Sequence, residues 1–423
     1  MRRRTFLSAA AGLHAAAHAG DLLRKSSPPL YQDGTARVNA LLNASLNVTI
    51  PAGVYMITGE LSVRDGHVIA AAAGAQVTLK TAGSYGGRIM TVYDKRLTLR
   101  GLTLDGAYAE RLWLEGSAGA SLMHVEGGTV VLENNRFQYA PSFGLWIYRS
   151  AQMQVRGNTF LECYHPIRID GANLQVGAIE NNTFTNTAAF ASIQHITAIN
   201  TANLAVRGNT MRGAGLKEPK VHDFEGTWGN SIYIYNSTGH LVEGNNVSGN
   251  WWSAVVSGQN ARNGIIRNNY LADGVHTYTA IWIEMVGAEY ITVDRNQIDG
   301  AVEVGDTGGD HVTITNNVIR SRHFGINLNS AAKDVLIQDN QISSKAGWRN
   351  NNGIYLWEKK TPDVNVGVFN NRIEGFDKGV AVNNAGETGT VYGIRLSGNT
   401  FASNNVNVWV PKGIVLKPGT PRP

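Results

Sequence analysis

The sequence predicts an all-β solenoid, in which short strands wind into coils and the coils stack on one another. Gly is abundant, with 48 of 423 residues, and only 16% of residues are charged, which suits short strands and tight turns. Residues 230–250 contain two short runs of alternating apolar and polar residues, the pattern of half-buried strands. Units of this kind recur along the chain, and such repetition indicates a stacked architecture.

The chain begins with a basic and Ala-rich segment. Arg3-Arg4-Thr5-Phe6-Leu7 and the small-x-small sequence Ala17-His18-Ala19 resemble a twin-arginine export signal with its cleavage site. The resemblance implies a periplasmic or secreted protein, and a disordered basic arm is the alternative. Cleavage after Ala19 would lower the formal charge from +5 to +2, with 34 basic residues left against 32 acidic ones. We therefore expect neither a nucleic-acid partner nor a membrane partner.

An Asn-containing unit defines the repeat. In every copy an apolar residue lies three positions before the Asn and another lies two positions after it. The eleven Asn residues are Asn135, Asn158, Asn182, Asn209, Asn245, Asn269, Asn296, Asn317, Asn340, Asn371 and Asn399. Asn tolerates the left-handed backbone region that a sharp corner requires, so we place these residues at corners. A single coil cannot bury its own apolar side, whereas stacked coils share a continuous core.

The residue two positions before each Asn supports this register. Through seven coils its charge alternates, in the order Glu133, Arg156, Glu180, Arg207, Glu243, Arg267 and Asp294. Stacking in register would place opposite charges side by side on neighbouring strands, with a contribution of ~0.2–1 kcal/mol for each pair. We interpret this row as structural.

These repeats resemble those of the right-handed parallel β-helix superfamily of pectate-lyase-like proteins, over residues 51–410. The resemblance implies a single right-handed parallel β-helix of residues 50–410, after an export signal (1–19) and a leader with a cap (20–49). A tail of residues 411–423 follows. Residues 35–43 resemble the short capping helix, while residues 50–55 and 61–63 resemble the opening strands. The catalytic sequences Gly-His-Gly, Arg-Ile-Lys and Asp-Pro-His-Glu of its enzymes are absent, so no catalytic residue is transferred.

One strand of each coil is predicted to carry an outward row of aromatic, acidic and amide side chains. Its candidate binding residues are Trp146, Tyr148, Arg168, Tyr233, Tyr235, Trp282, Asn327, Tyr355 and Trp357, and the same alternation places Val255 and Ser257 outward. An exposed row of this kind favours binding of a polysaccharide. Coverage by loops or by a subunit, and simple stacking of the rings on the sheet surface, are the alternatives.

Two longer repeats insert residues 215–229 and 345–352 before strands of this row. Insertions in solenoids map to loops, often on the binding face. The first insertion adds His222 as a binding candidate and Asp223 and Glu225 as catalytic candidates. The second adds Trp348 and Arg349.

Acidic residues of the row suggest two chemistries. Glu284, Glu303 and Asp306 could provide the acid and the base or nucleophile of a glycoside hydrolase. Arg168, Asp170, His195 and the residues around His222 could instead support β-elimination on a uronate, because Arg suits carboxylate recognition. No cofactor is expected, although Asp170, Asp223 or Glu225 could bridge a Ca²⁺ ion.

The sequence thus favours an exported protein that binds and cleaves a polysaccharide, with hydrolysis ahead of elimination. A non-catalytic binder, such as an adhesin or a tailspike-like receptor-binding protein, is the alternative, and a uronate epimerase is the third. The expected assembly is a monomer or a homotrimer. Cys163, the single cysteine, is expected to be a buried and inert thiol.

Overall fold

The computed structural model describes residues 28–217, 229–284, 287–305, 309–329, 332–345, 350–358, 365–384, 391–412 and 415–416. These residues form a parallel β-solenoid with little helix, as predicted. Each coil contributes one strand to each of three sheets. Along the chain a strand of the third sheet is followed by one of the second and then one of the first.

Within the described residues the first sheet has 15 strands. They are Leu30–Tyr31, Gly53–Ile57, Val77–Thr81, Thr103–Asp105, Arg136–Gln138, Thr159–Leu161, Thr183–Thr185, Thr210–Arg212, Asn246–Ser248, Tyr270–Ala272, Gln297–Asp299, Val318–Ser321, Gln341–Ser344, Arg372–Glu374 and Thr400–Ala402.

The second sheet has 14 strands in the same part of the chain. They are Asn47–Ile50, His67–Ala71, Arg96–Arg100, Thr129–Glu133, Gln152–Arg156, Asn173–Glu180, Ala202–Arg207, Leu241–Glu243, Arg262–Arg267, Glu289–Asp294, Thr313–Thr315, Val335–Gln338, Val366–Phe369 and Ile394–Ser397.

The third sheet has 13 described strands. They are Met90–Tyr93, Met123–Glu126, Phe143–Tyr148, His165–Asp170, Ile196–Ile199, Ile232–Tyr235, Val255–Gly258, Thr279–Glu284, Ala301–Gly305, Phe324–Asn329, Asn352–Glu358, Lys378–Asn384 and Val406–Trp409. A separate pair joins Val391–Tyr392 to Val415–Leu416.

The α-helix Gly34–Ala44 lies at the start of the solenoid and buries Val38 and Leu42 in the core, which confirms the predicted capping helix. Short 3-10 helices cover Tyr108–Glu110, Leu112–Leu114 and Ala118–Ala120. The predicted strand at residues 61–63 is wrong, because only Leu61 forms a single parallel bridge, to Met90. No described helix has the length and apolar character needed to cross a membrane.

The eleven repeat Asn residues form a ladder between the second and first sheets, which we call the Asn ladder. All of them are buried except Asn399, which is partly buried. At Asn158, the backbone N–H donates to Asn182 Oδ1 at 2.8 Å, and the side-chain amide donates to Leu132 O at 2.9 Å. The same pattern continues from coil to coil. Each ladder side chain therefore satisfies backbone groups of the tight corner that would otherwise be buried without partners.

The prediction that the ladder Asn itself adopts the left-handed conformation is wrong. The positive φ falls on the residue before it, for example 56° at Asn134 and 62° at Gly157. Arg295 occupies this position in one coil with φ 52°. The ladder Asn is selected instead by its amide, which can donate and accept at the same time.

Arg295 is therefore a strained position, and we expect Arg295→Asn to stabilise the protein by about 0.5–1 kcal/mol. Asn is better tolerated in the left-handed region, and equivalent coils carry it there. Urea unfolding would measure the change, with Arg320→Asn on an exposed strand position as the control. A loss of stability greater than that of the control would show that the Arg295–Asp294 ion pair of 2.8 Å outweighs the backbone strain.

The alternating charges pair as predicted. Glu180 is in register with Arg156 and Arg207, at 3.4 Å and 3.2 Å from their guanidinium nitrogens. Arg267 lies 2.7 Å from Glu243 in the same row. The side chains are partly exposed, so each pair contributes little to stability and mainly favours the correct register. Cys163 is fully buried, which confirms a structural thiol, and burial raises its pKa to about 12.

Candidate functional site

The outward face of the third sheet carries one continuous row of side chains, which we call the ligand stripe. Strand pairing places its members in register, in the order Trp146, Arg168, Thr197, Tyr233, Val256, Trp282, Glu303, Asn327, Tyr355 and Ala381. A parallel row holds Tyr148, Asp170, Ile199, Tyr235 and Gly258. The predicted orientation is thus confirmed for the strands of the stripe other than Val255–Gly258.

One strand was predicted one residue out of register. Val255 and Ser257 face the interior, and Val256 and Gly258 face outward, because Val255 pairs with the inward residues Ile232 and Ile281. The hydroxyl of Ser257 is buried and lies 3.3 Å from His240 Nε2. In a run of small and apolar residues the alternation does not show which set is inward.

The stripe is less exposed than the sequence suggested. Tyr233, Glu284 and Asn327 have exposed fractions of 9%, 5% and 4%. Even the large rings of Trp146, Trp282 and Tyr355 are half-buried. Strands of one sheet lie ~4.8 Å apart, so large side chains in register cover one another.

The N-terminal part of the stripe is a closed polar cluster. Asp170 accepts hydrogen bonds of 2.8 Å from both Arg168 Nε and Trp146 Nε1. The Trp146 ring stacks on His124 at 4.5 Å, and Arg88 bonds to His124 Nδ1 at 2.6 Å. Arg168 and Asp170 therefore neutralise each other within the protein. Sequence analysis missed His124 and Arg88, which precede Trp146, the first residue of the predicted outward row.

The centre of the stripe is built around Glu303. Its carboxylate accepts a hydrogen bond of 2.8 Å from Thr279 Oγ1 and one of 3.2 Å from Asn327 Nδ2. Tyr278 lies nearby, and burial followed by the charge of Glu303 raises the pKa of its hydroxyl. Two donors from the adjacent coils fix the orientation of this half-buried carboxylate. Thr279 was not recognised in the sequence because it lies at the first position of its strand.

Glu284 lies on the same face and one outward position further along its strand. It pairs with Gly305, whereas Glu303 pairs with Trp282 in the same strand as Glu284. A Cβ atom at Gly258 would lie 3.6 Å from Glu284 Oε1, in ordinary van der Waals contact, so the carboxyl group of Glu284 reaches over the neighbouring strand. From strand spacing and rise, the Cα atoms of Glu284 and Glu303 are about 8 Å apart.

Aromatic rings surround these two carboxyl groups. Trp282 packs against Trp252 with ring centroids 6.3 Å apart. On the other side, Tyr355 stacks on Phe324 at 5.0 Å, and Tyr278 stacks on His323 at 5.0 Å. Sequence analysis did not single out Phe324 and His323, because they precede the outward positions of their strand.

Several predicted site residues cannot be placed. His222, Asp223, Glu225 and Asp306 lie outside the described residues, as do Trp348 and Arg349. Trp357 lies in a described strand, but its side chain is outside the described part.

His195 is fully buried against Phe184, and burial lowers its pKa to about 3, so it is unsuited to contact a substrate. Where side chains are described, no three His, Cys, Asp or Glu residues are grouped to hold a metal ion.

Two protein families match parts of the chain. Residues 218–366 match the family described as "Right handed beta helix region". Residues 113–281 match the family described as "Periplasmic copper-binding protein (NosD)". No curated protein sequence matches the chain.

The chain is also similar to solved structures of low sequence identity. The surface adhesin PfbA of Streptococcus pneumoniae is 14% identical, with 86% of this chain and 87% of that chain covered and a TM-score of 0.45. The mannuronan C-5 epimerase AlgE6 A-module of Azotobacter vinelandii is 16% identical, with coverages of 92% and 94% and a TM-score of 0.33.

The catalytic domain of a GH87 α-1,3-glucanase in complex with nigerose is 12% identical, with coverages of 90% and 66% and a TM-score of 0.45. Similarities at these TM-scores do not bear on activity. The repeat, the three parallel sheets and the match of residues 218–366 to the β-helix family together show that the chain folds as a right-handed parallel β-helix.

Proposed function

We propose that the ligand stripe binds a polysaccharide and that Glu284 and Glu303 hydrolyse one of its glycosidic bonds. The observation that carries the proposal is the position of Glu303, in register between Trp282 and Tyr355 and fixed by Thr279 and Asn327. Aromatic rings offer flat apolar faces to sugar rings, while carboxylates and amides bond to hydroxyl groups. Coils stacked in register repeat these contacts along a polymer.

In this mechanism Glu303 is the base and Glu284 is the acid. Glu303 accepts hydrogen bonds from two neutral donors, the arrangement that suits an ionised carboxylate. It would remove a proton from water as that water attacks the anomeric carbon, while Glu284 gives its proton to the leaving oxygen. Because water attacks directly in this single displacement, the product is expected to have the inverted anomeric configuration.

The described residues support β-elimination on a uronate less than they support hydrolysis. That reaction needs a cation for the substrate carboxylate, and Arg168 is already paired with Asp170. The same pairing weakens Asp170 as a Ca²⁺ ligand. The second candidate is a binder without catalysis, which the Trp146–Arg168–Asp170 cluster favours because these polar side chains are already bonded to one another.

We further propose that the protein is exported to the periplasm or secreted. The support is the twin-arginine-like sequence Arg3-Arg4-Thr5-Phe6-Leu7, which lies outside the described residues. The NosD family, which matches residues 113–281, is described as periplasmic. Fractionation of expressing cells and the mass of the mature chain would test the proposal, with retention of the full-length chain in the cytoplasm as the contrary result.

Digestion of a panel of neutral and uronate polysaccharides tests the activity. Each reaction is followed for new reducing ends and for the ultraviolet absorbance of an unsaturated uronate. Hydrolysis predicts new reducing ends without absorbance. Both signals together would establish a lyase, and a change of uronate composition without new ends would establish an epimerase.

Binding is tested separately with Trp282→Ala. Loss of the half-buried ring is expected to weaken polysaccharide binding about 10- to 100-fold, because an aromatic platform is removed from the centre of the stripe. Affinity electrophoresis would measure the change. The control is Trp113→Ala, because Trp113 is 63% exposed in a short helix outside the third sheet. If Trp282→Ala binds the polysaccharide as tightly as the control Trp113→Ala does, the ligand stripe is not the binding site.

A further inference from the structure

A second concave site lies on the outer face of the second sheet, away from the ligand stripe. It is a groove of about 620 Å³, which we call the corner groove, within the size range of small-ligand sites. Its principal lining residues are Tyr290, His311, Asp334, Asn365, Phe369 and Arg395. They belong to successive coils, and all of them are among the described residues.

The backbone at the edge of the corner groove is strained. In six successive coils one residue at the start of the second-sheet strand adopts the left-handed conformation; it is Asn203, Gly239 and Asn263 in the first three of these coils and Asp334 in the last. In the groove the same position holds Tyr290 and His311, with φ of 55° and 56°. A bulky residue with positive φ is an outlier, and such strain concentrates at functional sites. The Tyr290 ring is therefore held at this position against the local backbone preference.

These residues form an aromatic wall with a polar edge. The rings of Tyr290 and His311 stack at 4.5 Å, and Tyr290 stays 51% exposed. Asp334 lies 3.5 Å from His311 Nε2 and accepts a hydrogen bond of 2.7 Å from Asn365 Nδ2. Arg395 donates to the side-chain oxygen of Asn365. Carboxylate, amide and guanidinium groups in a row have further capacity for hydroxyl groups.

The floor of the corner groove is apolar. Leu336 contributes to it, and the Phe369 ring lies over Gly367, where an added Cβ atom would come within 2.5 Å of the ring. A residue larger than Gly at position 367 would therefore displace this ring. The groove thus combines a flat apolar floor, one exposed aromatic ring and a polar edge on which Asp334 and Arg395 carry opposite charges.

We propose that the corner groove is a second saccharide-binding site and that it takes a neutral pyranose unit. The ring of Tyr290 would contact the apolar face of the sugar, and Asp334, Asn365 and Arg395 would bond to its hydroxyl groups. The opposite charges of Asp334 and Arg395 give no net preference for an acidic sugar. The inference extends the proposed ligand class, yet it does not depend on cleavage or on the ligand stripe.

The test uses the full chain and calorimetric titration with cellohexaose, maltohexaose and xylohexaose, and with hexagalacturonate as the charged comparison. The wild-type chain is expected to show two classes of site for a neutral oligosaccharide. Tyr290→Asn should weaken one class at least tenfold, and Trp282→Ala should weaken the other. Because Asn occupies this corner in other coils, Tyr290→Asn should also unfold at the same or a higher temperature.

Tyr270→Ala, which removes a half-buried ring from the first sheet, is the control and should leave both classes unchanged. Retention of both classes in Tyr290→Asn, or stronger binding of hexagalacturonate than of every neutral oligosaccharide, would overturn the proposal. If the wild-type chain shows a single class of binding site and only Trp282→Ala loses it, the corner-groove proposal is overturned and the ligand stripe is supported. If the wild-type chain shows a single class of binding site and only Tyr290→Asn loses it, the corner groove is supported and the ligand stripe is refuted. If no oligosaccharide binds at millimolar concentrations, both proposed sites are refuted.

Discussion

Glu303→Gln is expected to lower the rate of polysaccharide cleavage by at least about a thousandfold, equivalent to roughly 4 kcal/mol of activation free energy. The amide has nearly the same shape but cannot accept a proton from the attacking water. Asn327 and Thr279 still contact the side chain, so the fold and the affinity for the polymer should change little. Initial rates of reducing-end formation and the affinity for the same polymer would be measured together, to show that cleavage is lost while binding is retained.

Glu284→Gln is expected to slow cleavage most for substrates with poor leaving groups, because its proposed role is to protonate the leaving oxygen. An activated aryl glycoside should therefore recover part of the rate in Glu284→Gln and not in Glu303→Gln. The control is Glu243→Gln, in the charged row of the second sheet, which should be fully active. Wild-type rates in both Glu284→Gln and Glu303→Gln would exclude this catalytic pair.

Asn245→Ala is expected to reduce the free energy of unfolding by about 3–5 kcal/mol. Asn245 Oδ1 accepts from the backbone and the side-chain nitrogens of Asn209, both at 2.9 Å. Its amide donates to Val206 O at 2.9 Å. The substitution leaves these groups buried without partners, at about 1–3 kcal/mol each, and some relaxation lowers the total. Urea denaturation would measure the loss.

Two further variants separate the Asn ladder from a general effect of Asn. Asn246 is the exposed neighbour of Asn245, so Asn246→Ala should change stability by less than about 0.5 kcal/mol. Asn399 is only partly buried, and the ladder interactions described for it go to the preceding coil, so Asn399→Ala should cost less than Asn245→Ala. Equal costs for Asn245→Ala and Asn246→Ala would contradict the structural role of the ladder.

Much of the fold could be read from the sequence because a solenoid repeats its local interactions. An apolar residue three positions before each Asn and another two positions after it are the inward residues of the second and first sheets, such as Leu132 and Phe137. The alternating charges at Glu180 and Arg207 then fix which coils are neighbours. The Asn positions were recognised as corners, but the role of the Asn amide became clear only from its hydrogen bonds to adjacent coils.

The site was predicted less completely, since it depends on contacts between coils. The sequence identified the outward row and the pair Glu284 and Glu303. It did not reveal that Arg168 and Asp170 neutralise each other, nor that His195 is buried. The one-residue register error at Val255 has a related cause, because alternation does not distinguish the inward from the outward face where both carry small or apolar residues.

The sequence by itself determined the stacked coils, their register and the outward row outside the strand Val255–Gly258, since these follow from a period that the coils repeat. The tertiary structure alone decided which polar groups are already satisfied and which rings line a cavity. Tyr290, His311 and Arg395 are far apart along the chain, and only the stacking of four further coils brings them to one groove. Such juxtapositions depend on neighbouring coils, whereas the repeat pattern describes one coil at a time.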